Sequence, residues 1–260
     1  MQQHKIVSQD EWLVARKAHL AREKEVTHLR DKVAAERRDL PWVKVDKAYV
    51  FEGPTGKQTL AQLFGSNAQL IIYHFMFGPD WAQGCPSCSF LADHIDGADQ
   101  HLKHHDVSVV VVSRAPWAKI DGFKKRMGWK FNWVSSNGSD FNFDYHVSFT
   151  DVDRARDKAY YNYEMGPYMF DELPGISVFI KTEDGSIYHT YSAYARGGDI
   201  LLGAHNFLDL TPKGRNENGT MDWVRHHDRY ETAPTAQAAC CAAESDPISE
   251  FRSRQQGGSK

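Results

Sequence analysis

The stretch LIIYHFMFGPDWAQGCPSC, residues 70–88, decides the fold. Its first eight residues are almost all apolar, and a run of that length is typical of a strand buried on both faces of a parallel sheet. The chain then turns through glycine and proline to two cysteines, after which a helical pattern covers 89–104 and a second apolar run covers 107–113. The order strand, helix, strand predicts a βαβ unit with a right-handed crossover.

The two cysteines stand three residues apart, where the predicted βα loop becomes a helix. A helix N-terminus carries unpaired N–H groups and the positive end of the helix dipole, so we expect Cys85 to have a lowered pKa and to be the nucleophile. Pro86 suits the first helical turn because it has no N–H group to leave unpaired. Cys88 lies about one turn further on the same face, where it can attack a mixed disulfide at Cys85. The motif in this context indicates a thioredoxin-like redox pair.

A loop facing this pair is expected just before the antiparallel strands of such a fold. Leu173 and Pro174 precede two apolar segments at 175–180 and 186–191, whose Glu-Asp-Gly connection predicts a β-hairpin. The position predicts a cis Leu173–Pro174 bond in a substrate-binding loop, and an ordinary trans turn is the alternative. Trp81, in the loop before the cysteines, is the aromatic candidate for substrate contact.

Four further residues are candidates for supporting roles. Arg114 and Arg196 are expected either to bind an anionic group, such as a glutathione carboxylate, or to form internal ion pairs. Cys240 and Cys241 are adjacent near the end of the chain. They are interpreted as a relay that reduces the Cys85–Cys88 disulfide, as a soft-metal pair, or as inert thiols. A zinc site would need two more ligands, so we expect neither a metal nor a cofactor.

The remaining sequence predicts three parts. Residues 1–40 form a helical arm, with one or two helices over 9–38 that serve packing or dimerisation. Residues 41–210 form an α/β domain with a central mixed sheet flanked by helices and a large insertion at about 137–172. Within it, 42–45 and 49–51 predict a β-ribbon around a polar turn. Residues 211–260 form a C-terminal extension and mobile tail.

Composition limits the classes of partner. The chain has 31 Lys and Arg against 34 Asp and Glu, a net charge of −3, which gives no electrostatic support for binding nucleic acid or a membrane surface. Mean hydropathy is −0.57, and no apolar run reaches the ~18 residues that a spanning helix needs. The N-terminus lacks the apolar stretch of a secretory signal, so we expect a cytoplasmic protein.

The sequence resembles a thioredoxin-like family catalogued as domain of unknown function 899 and described as predicted dithiol-disulfide oxidoreductases. The likeness spans roughly residues 10 to 230 and rests on the motifs YHFMF (73–77), GCPSC (84–88), VSRAP (112–116), PGISVF (174–179) and DWVRHHD (222–228). The resemblance implies a thioredoxin-like fold in which Cys85 and Cys88 are redox active.

These patterns predict an enzyme that exchanges disulfides with a protein or small-molecule substrate through Cys85 and Cys88, with an electron donor that the sequence does not identify. One alternative is a peroxiredoxin-like peroxidase, in which Cys85 becomes a sulfenic acid and Cys88 resolves it. Another is a copper or soft-metal chaperone that uses both cysteines and a histidine such as His189. A homodimer is a further expectation.

Overall fold

The computed structural model of the protein describes residues 4–230, which fall into two compact units divided between Trp42 and Val43. The first unit holds a single helix, α1 (Gln9–Arg38). Ser8 begins it with a capping box, in which the Ser8 side chain accepts from the Glu11 amide and the Glu11 carboxylate accepts from the Ser8 amide. The helix predicted over 9–38 is therefore present as one continuous element.

The second unit contains the remaining described elements. Its strands are β1 (Val43–Lys44), β2 (Val50–Gly53), β3 (Gly56–Thr59), β4 (Gln69–His74), β5 (Val107–Ser113), β6 (Asn132–Ser135), β7 (Lys158–Tyr161), β8 (Glu164–Pro167), β9 (Gly175–Lys181) and β10 (Ile187–Tyr194). Its α-helices are α2 (Leu60–Leu63), α3 (Pro86–Ala92), α4 (Ile95–His104), α5 (Trp117–Met127), α6 (Phe141–Asp144), α7 (Asp151–Arg156) and α8 (Gly203–Leu208). Two 3₁₀ segments cover Ala195–Leu201 and His227–Arg229.

Eight of these strands form one mixed sheet in the order β1-β10-β9-β4-β5-β6-β2-β3. Strands β4, β5 and β6 are parallel, whereas β9 is antiparallel to β4 and β10 is antiparallel to β9. Strands β7 and β8 pair only with each other within the part of the chain that the structure describes. A parallel set extended by an antiparallel hairpin and flanked by helices confirms the predicted thioredoxin-like fold.

The apolar run of β4 is buried because both faces of the sheet carry a core. Leu70 and Ile72 pack with Val110 and Val112 on one face, and Tyr73 belongs to the cluster on the other. Successive strand residues point to opposite faces, so a strand covered on both sides needs apolar residues throughout. The cluster that contains Tyr73 also contains Cys85 and Cys88, so the packing of the sheet fixes the face on which the two cysteines lie.

The predicted β-ribbon is wrong. Strand β1 pairs with β10, whereas β2 pairs with β3 and β6, so the two segments lie towards opposite edges of the sheet. Contacts of the connecting segment explain the separation, since Lys47 and Tyr49 both bind the Asp144 carboxylate of α6. A polar turn signals that the chain changes direction, but it does not specify the partner of the next strand.

The single helix predicted over 89–104 is divided into α3 and α4 at Asp93 and His94. The Asp93 carboxylate accepts a hydrogen bond from the indole N–H of Trp129 at 2.7 Å, which anchors the break to a distant segment. The predicted insertion at 137–172 contains α6, α7 and the hairpin of β7 and β8. Among residues 4–230, no helix combines the length and apolar character needed to cross a bilayer.

Candidate active site

Cys85 caps the N-terminus of α3, and Pro86 occupies the first helical position. The Cys85 amide donates to the Met76 carbonyl at 3.0 Å, which ties the start of the helix to the end of the β4 segment. Gly84 is required at this point, because a Cβ there would lie 2.6 Å from the Phe75 ring and 2.8 Å from the Phe123 ring. The predicted βα junction therefore sets the position of the first cysteine.

Both cysteines are free thiols and almost fully buried, with 3% exposure for Cys85 and 2% for Cys88. The Cys88 amide donates to Cys85 Sγ at 3.4 Å, as expected of a helix cap. The Met76 amide donates to Cys88 Sγ at 3.4 Å. The two thiols lie next to each other at the start of the helix, so the ionisation of one affects the pKa of the other.

The hydrogen bonds place the lower pKa on the second cysteine. Burial alone would raise the pKa of Cys88, but hydrogen bonds from the Cys85 thiol, the Tyr73 hydroxyl and the Met76 amide outweigh it and lower that pKa. The pKa of Cys85 is raised well above its ordinary value, first because its thiol donates to Cys88 and then because it is buried. The prediction of a lowered pKa at Cys85 is therefore wrong for the reduced pair. The N–H groups at the helix terminus stabilise the Cys85 thiolate less than the three donors around Cys88 stabilise the Cys88 thiolate.

Tyr73 is a site residue that the sequence pattern indicates only as part of a buried strand. It is 4% exposed, and burial, followed by the proximity of Cys88, raises its pKa well above the ordinary value. Tyr73 therefore stays protonated and remains a donor to Cys88. The available signal was a hydroxyl in an otherwise apolar run, because a buried tyrosine hydroxyl normally needs a partner.

A pocket of 490 Å³ opens onto the two thiols. Its lining comes from the dithiol segment, the insertion, the β9–β10 hairpin and its following turn, and the C-terminal extension. Representative lining residues are Cys85, Cys88, Tyr161, Leu173, Pro174, Ile176, Arg196 and Met221. The structure thus brings Leu173 and Pro174 to the same pocket as the cysteines.

Trp81 and Pro86 were predicted as substrate-binding residues, but neither lines this pocket. The Trp81 indole packs over Gly78, where an added Cβ would lie 2.8 Å from its Nε1. The Trp81 carbonyl accepts from Lys119 Nζ at 3.3 Å, which holds the loop against α5. Pro86 is buried in the first turn of α3. Both residues therefore shape the dithiol loop from outside the pocket.

The predicted cis bond at Pro174 is wrong, since residues 4–230 contain no cis peptide bond. The Leu173 amide donates to the Val147 carbonyl at 2.8 Å, and the Pro174 carbonyl accepts from the Tyr161 hydroxyl at 2.6 Å. The insertion thus holds the loop from both sides with the peptide bond in its intrinsically preferred trans form. The Leu173 N–H is already paired within the protein, so it is not free to donate to an extended substrate.

The two candidate arginines both form ion pairs. Arg114 Nη1 lies 2.8 Å from Glu172 Oε1, and the Ser148 hydroxyl donates to Glu172 Oε2 at 2.5 Å. Glu172 is 2% exposed, and its burial raises its pKa to about 7 despite these two partners. Arg196 lies at the pocket and pairs with Asp199 at 3.0 Å.

The C-terminal extension reaches the dithiol loop, which the sequence analysis did not predict. His226 is 2% exposed, and its Nε2 lies 2.8 Å from the Gly84 carbonyl, which can only accept. Burial, ahead of neighbouring charges, lowers the pKa of His226. Arg126 adds a contact to His226 Nδ1 at 3.4 Å and pairs with Asp228 at 2.8 Å. The extension therefore supports the residue that immediately precedes Cys85.

The structure does not bring His189, the histidine named for the metal-binding alternative, to the face of the sheet that carries the cysteines. His189 packs against Tyr145 and Phe179, which belong to the core on the other face of the sheet, and its Nε2 bonds to Ser192 Oγ at 2.7 Å. Within residues 4–230, no group of three His, Cys, Asp or Glu side chains is placed to hold a metal ion. Cys240 and Cys241 lie outside the described residues.

Comparisons with known proteins give one family and several similar structures. The model of the family described as "Bacterial protein of unknown function (DUF899)" matches residues 1–230. No curated protein matches the chain. Among solved structures, peroxidoxin BcpB from Mycobacterium tuberculosis is similar at 16% identity and a TM-score of 0.38, over 63% of this chain and 94% of that one. Peroxiredoxin Q from Xanthomonas campestris is similar at 14% identity and a TM-score of 0.39, over 60% and 87%. The mitochondrial 2-Cys peroxiredoxin from Plasmodium falciparum is similar at 10% identity and a TM-score of 0.37, over 65% and 92%.

Proposed function

We propose that this chain, which belongs to the DUF899 family of bacterial proteins of unknown function, is a thiol-disulfide oxidoreductase that works through Cys85 and Cys88. The observation that carries the proposal is a pair of free, adjacent thiols that both line one pocket, with the pKa of one thiol lowered and that of the other raised. Such a pair holds a thiolate nucleophile beside a thiol that supplies a proton.

The first step is attack by the Cys88 thiolate on one sulfur of a substrate disulfide. The substrate S–S bond breaks, a mixed disulfide forms at Cys88, and the leaving thiolate takes the proton of the Cys85 thiol. Tyr73 and the Met76 amide hold Cys88 Sγ in place before the attack, because both donate to it. Cys85 becomes a thiolate at the point where the second step needs one.

In the second step, the Cys85 thiolate attacks Cys88 Sγ and displaces the remaining half of the substrate as a thiolate. The protein is left with a Cys85–Cys88 disulfide, and two electrons have passed to the substrate. Before this attack, the amides of Cys88 and Ser87 hydrogen-bond to Cys85 Sγ and favour its ionised form after its proton has passed to the first leaving thiolate. An external dithiol then restores the reduced pair.

Serine variants test these roles in a turnover assay with dithiothreitol and a small disulfide. We expect Cys88→Ser to abolish turnover. Cys85→Ser, mixed with the disulfide in the absence of dithiothreitol, is expected to complete only the first step and to accumulate a mixed disulfide at Cys88, detected by mass spectrometry. Ser87→Ala is the matched control, because it lies between the cysteines and leaves both thiols and the backbone N–H groups intact. Normal turnover by Cys88→Ser would refute the proposal.

A second candidate function, thiol peroxidase, draws on the same lowered pKa. The Cys88 thiolate would attack a peroxide oxygen and become a sulfenic acid, while the leaving oxygen takes the Cys85 proton. Cys85, now a thiolate, would then displace hydroxide from the sulfenic acid to form the disulfide, and the hydroxide takes a proton from solvent. The two candidates differ in one measurement, the rate of Cys88 oxidation by hydrogen peroxide relative to a free thiol. A rate no faster than that of the free thiol removes the peroxidase.

A further inference from the structure

The pocket above the dithiol is walled largely by apolar side chains. They include Leu91, Phe170, Leu173, Ile176, Leu202 and Met221. Its volume of 490 Å³ lies within the roughly 300–1,000 Å³ of typical small-molecule sites. Since the residues Cys85 and Cys88 are only 3% and 2% exposed, a small molecule that enters the pocket reaches their sulfurs more readily than a disulfide on the surface of a folded protein does.

The charges around the pocket disfavour anions. Among its described lining residues, Arg196 is the only basic one, and it is already paired with Asp199 at 3.0 Å. Asp199 and Asp222 are the acidic residues of the described lining, and Asp199 also lies 3.6 Å from Arg215. A substrate carboxylate would therefore lose water, and no unpaired cation in the described lining would compensate for that loss.

We infer that the site takes small uncharged disulfides whose sulfur atoms carry apolar alkyl or aryl groups, in preference to anionic disulfides such as glutathione disulfide. This inference rests on the proposed function and specifies its substrate class. The apolar groups are removed from water against the pocket wall, while the reacting sulfurs meet Cys88, which is part of the same lining. The electron balance is that of the two steps above, with one substrate disulfide reduced to two thiols as the Cys85–Cys88 disulfide forms.

Two aromatic disulfides of opposite character test the preference. Reduced protein is mixed in single-turnover experiments with uncharged 4,4'-dithiodipyridine or with dianionic 5,5'-dithiobis(2-nitrobenzoate), and each rate is divided by that of N-acetylcysteine with the same reagent. We expect the normalised rate for the uncharged reagent to be about tenfold higher. Equal normalised rates, or a higher value for the dianion, would overturn the inference.

A pair of methionine variants tests whether the pocket is responsible. Met169 lines the pocket and is 41% exposed, whereas Met165 lies on β8 outside the lining and is 62% exposed. We expect Met169→Lys to reduce the preference for the uncharged reagent several-fold, because it adds an unpaired cation at the pocket. Met165→Lys adds the same charge elsewhere and is expected to keep the wild-type preference. A preference unchanged by Met169→Lys, or equally reduced by Met165→Lys, contradicts the inference.

Alkylation by iodoacetamide, a small and uncharged reagent, distinguishes a failure of the proposed function from a failure of the proposed substrate class. If Cys88 alkylates no faster than a free thiol, the proposed function itself fails. If Cys88 alkylates faster than a free thiol but the two disulfides show equal normalised rates, only the substrate class is wrong.

Discussion

Three donors converge on the sulfur of Cys88, namely the Cys85 thiol, the Tyr73 hydroxyl and the Met76 amide. The helix N-terminus alone would favour a thiolate at Cys85, since the amides of the first turn point at its sulfur. At the residue scale, the presence of a dithiol was readable from the sequence. The distribution of the proton between the two thiols was not readable, because two of the three donors to Cys88 come from β4 and the segment that follows it. Such contacts depend on tertiary structure.

The contribution of Tyr73 is tested by Tyr73→Phe, which keeps the ring that packs edge-on against Phe75. Loss of the hydroxyl raises the pKa of Cys88, so we expect alkylation of Cys88 at neutral pH to slow by about tenfold, because a hydrogen bond to a charged group contributes about 1.5–3 kcal/mol. The rate is measured by mass spectrometry after timed exposure to iodoacetamide. Tyr160→Phe is the control, since Tyr160 does not line the pocket. An unchanged rate for Tyr73→Phe would remove the hydroxyl from the account.

Glu172 predicts a pH dependence of stability. Burial raises its pKa from the ordinary 4.5 to about 7, so the folded state prefers the protonated acid. The contribution of the protonated Glu172 carboxyl to the free energy of unfolding is fully present below pH 4.5 and is lost as the pH rises through about 7. Over that interval, we expect the free energy of unfolding of the wild type to fall by about 3 kcal/mol relative to Glu172→Gln.

Denaturant unfolding at pH 4.5, 6 and 7.5 measures this difference. Glu164→Gln, on exposed strand β8, is the control and is expected to follow the wild type. Parallel pH profiles for the wild type and Glu172→Gln would show that the buried carboxyl does not titrate in this range.

At the scale of elements, the sequence located the strands that are marked by their own apolar run or by the turn of their own hairpin. The apolar runs of β4 and β5 and the hairpin of β9 and β10 were all predicted close to their observed bounds. The partners of β1 and β2 were not, because contacts to α6 decide where the chain between them runs. The contact of the C-terminal extension with the dithiol loop was also missed, since it joins residues that are 142 positions apart.

That long-range contact gives an element-scale prediction for His226→Ala. The Gly84 carbonyl loses its buried partner, so we expect the free energy of unfolding to fall by about 1–3 kcal/mol. We also expect faster hydrogen exchange in a peptide that covers residues 83–88. His227→Ala is a close control, because His227 contacts Asp93 instead of Gly84. Equal exchange in the two variants would show that the extension does not hold the dithiol loop.

At the scale of the whole molecule, the pocket combines four segments that are distant in the sequence. Only the dithiol segment and the turn at Leu173 and Pro174 were predicted to face each other, and both line the pocket. Tyr161 from the insertion and Met221 from the extension complete it. The fold was predictable because it follows from runs of neighbouring residues. The pocket was only partly predictable, because its chemistry depends on which segments the sheet brings together.

The central claim is that Cys88 carries the reactive thiolate and Cys85 holds the proton. It is tested most directly by a brief iodoacetamide pulse on the fully reduced wild-type protein at pH 7, followed by acid quenching and mass-spectrometric quantification of label on each cysteine. We expect label to accumulate on Cys88 before Cys85 and faster than on a free cysteine. Label that accumulates first on Cys85, or on both at the rate of free cysteine, would contradict it.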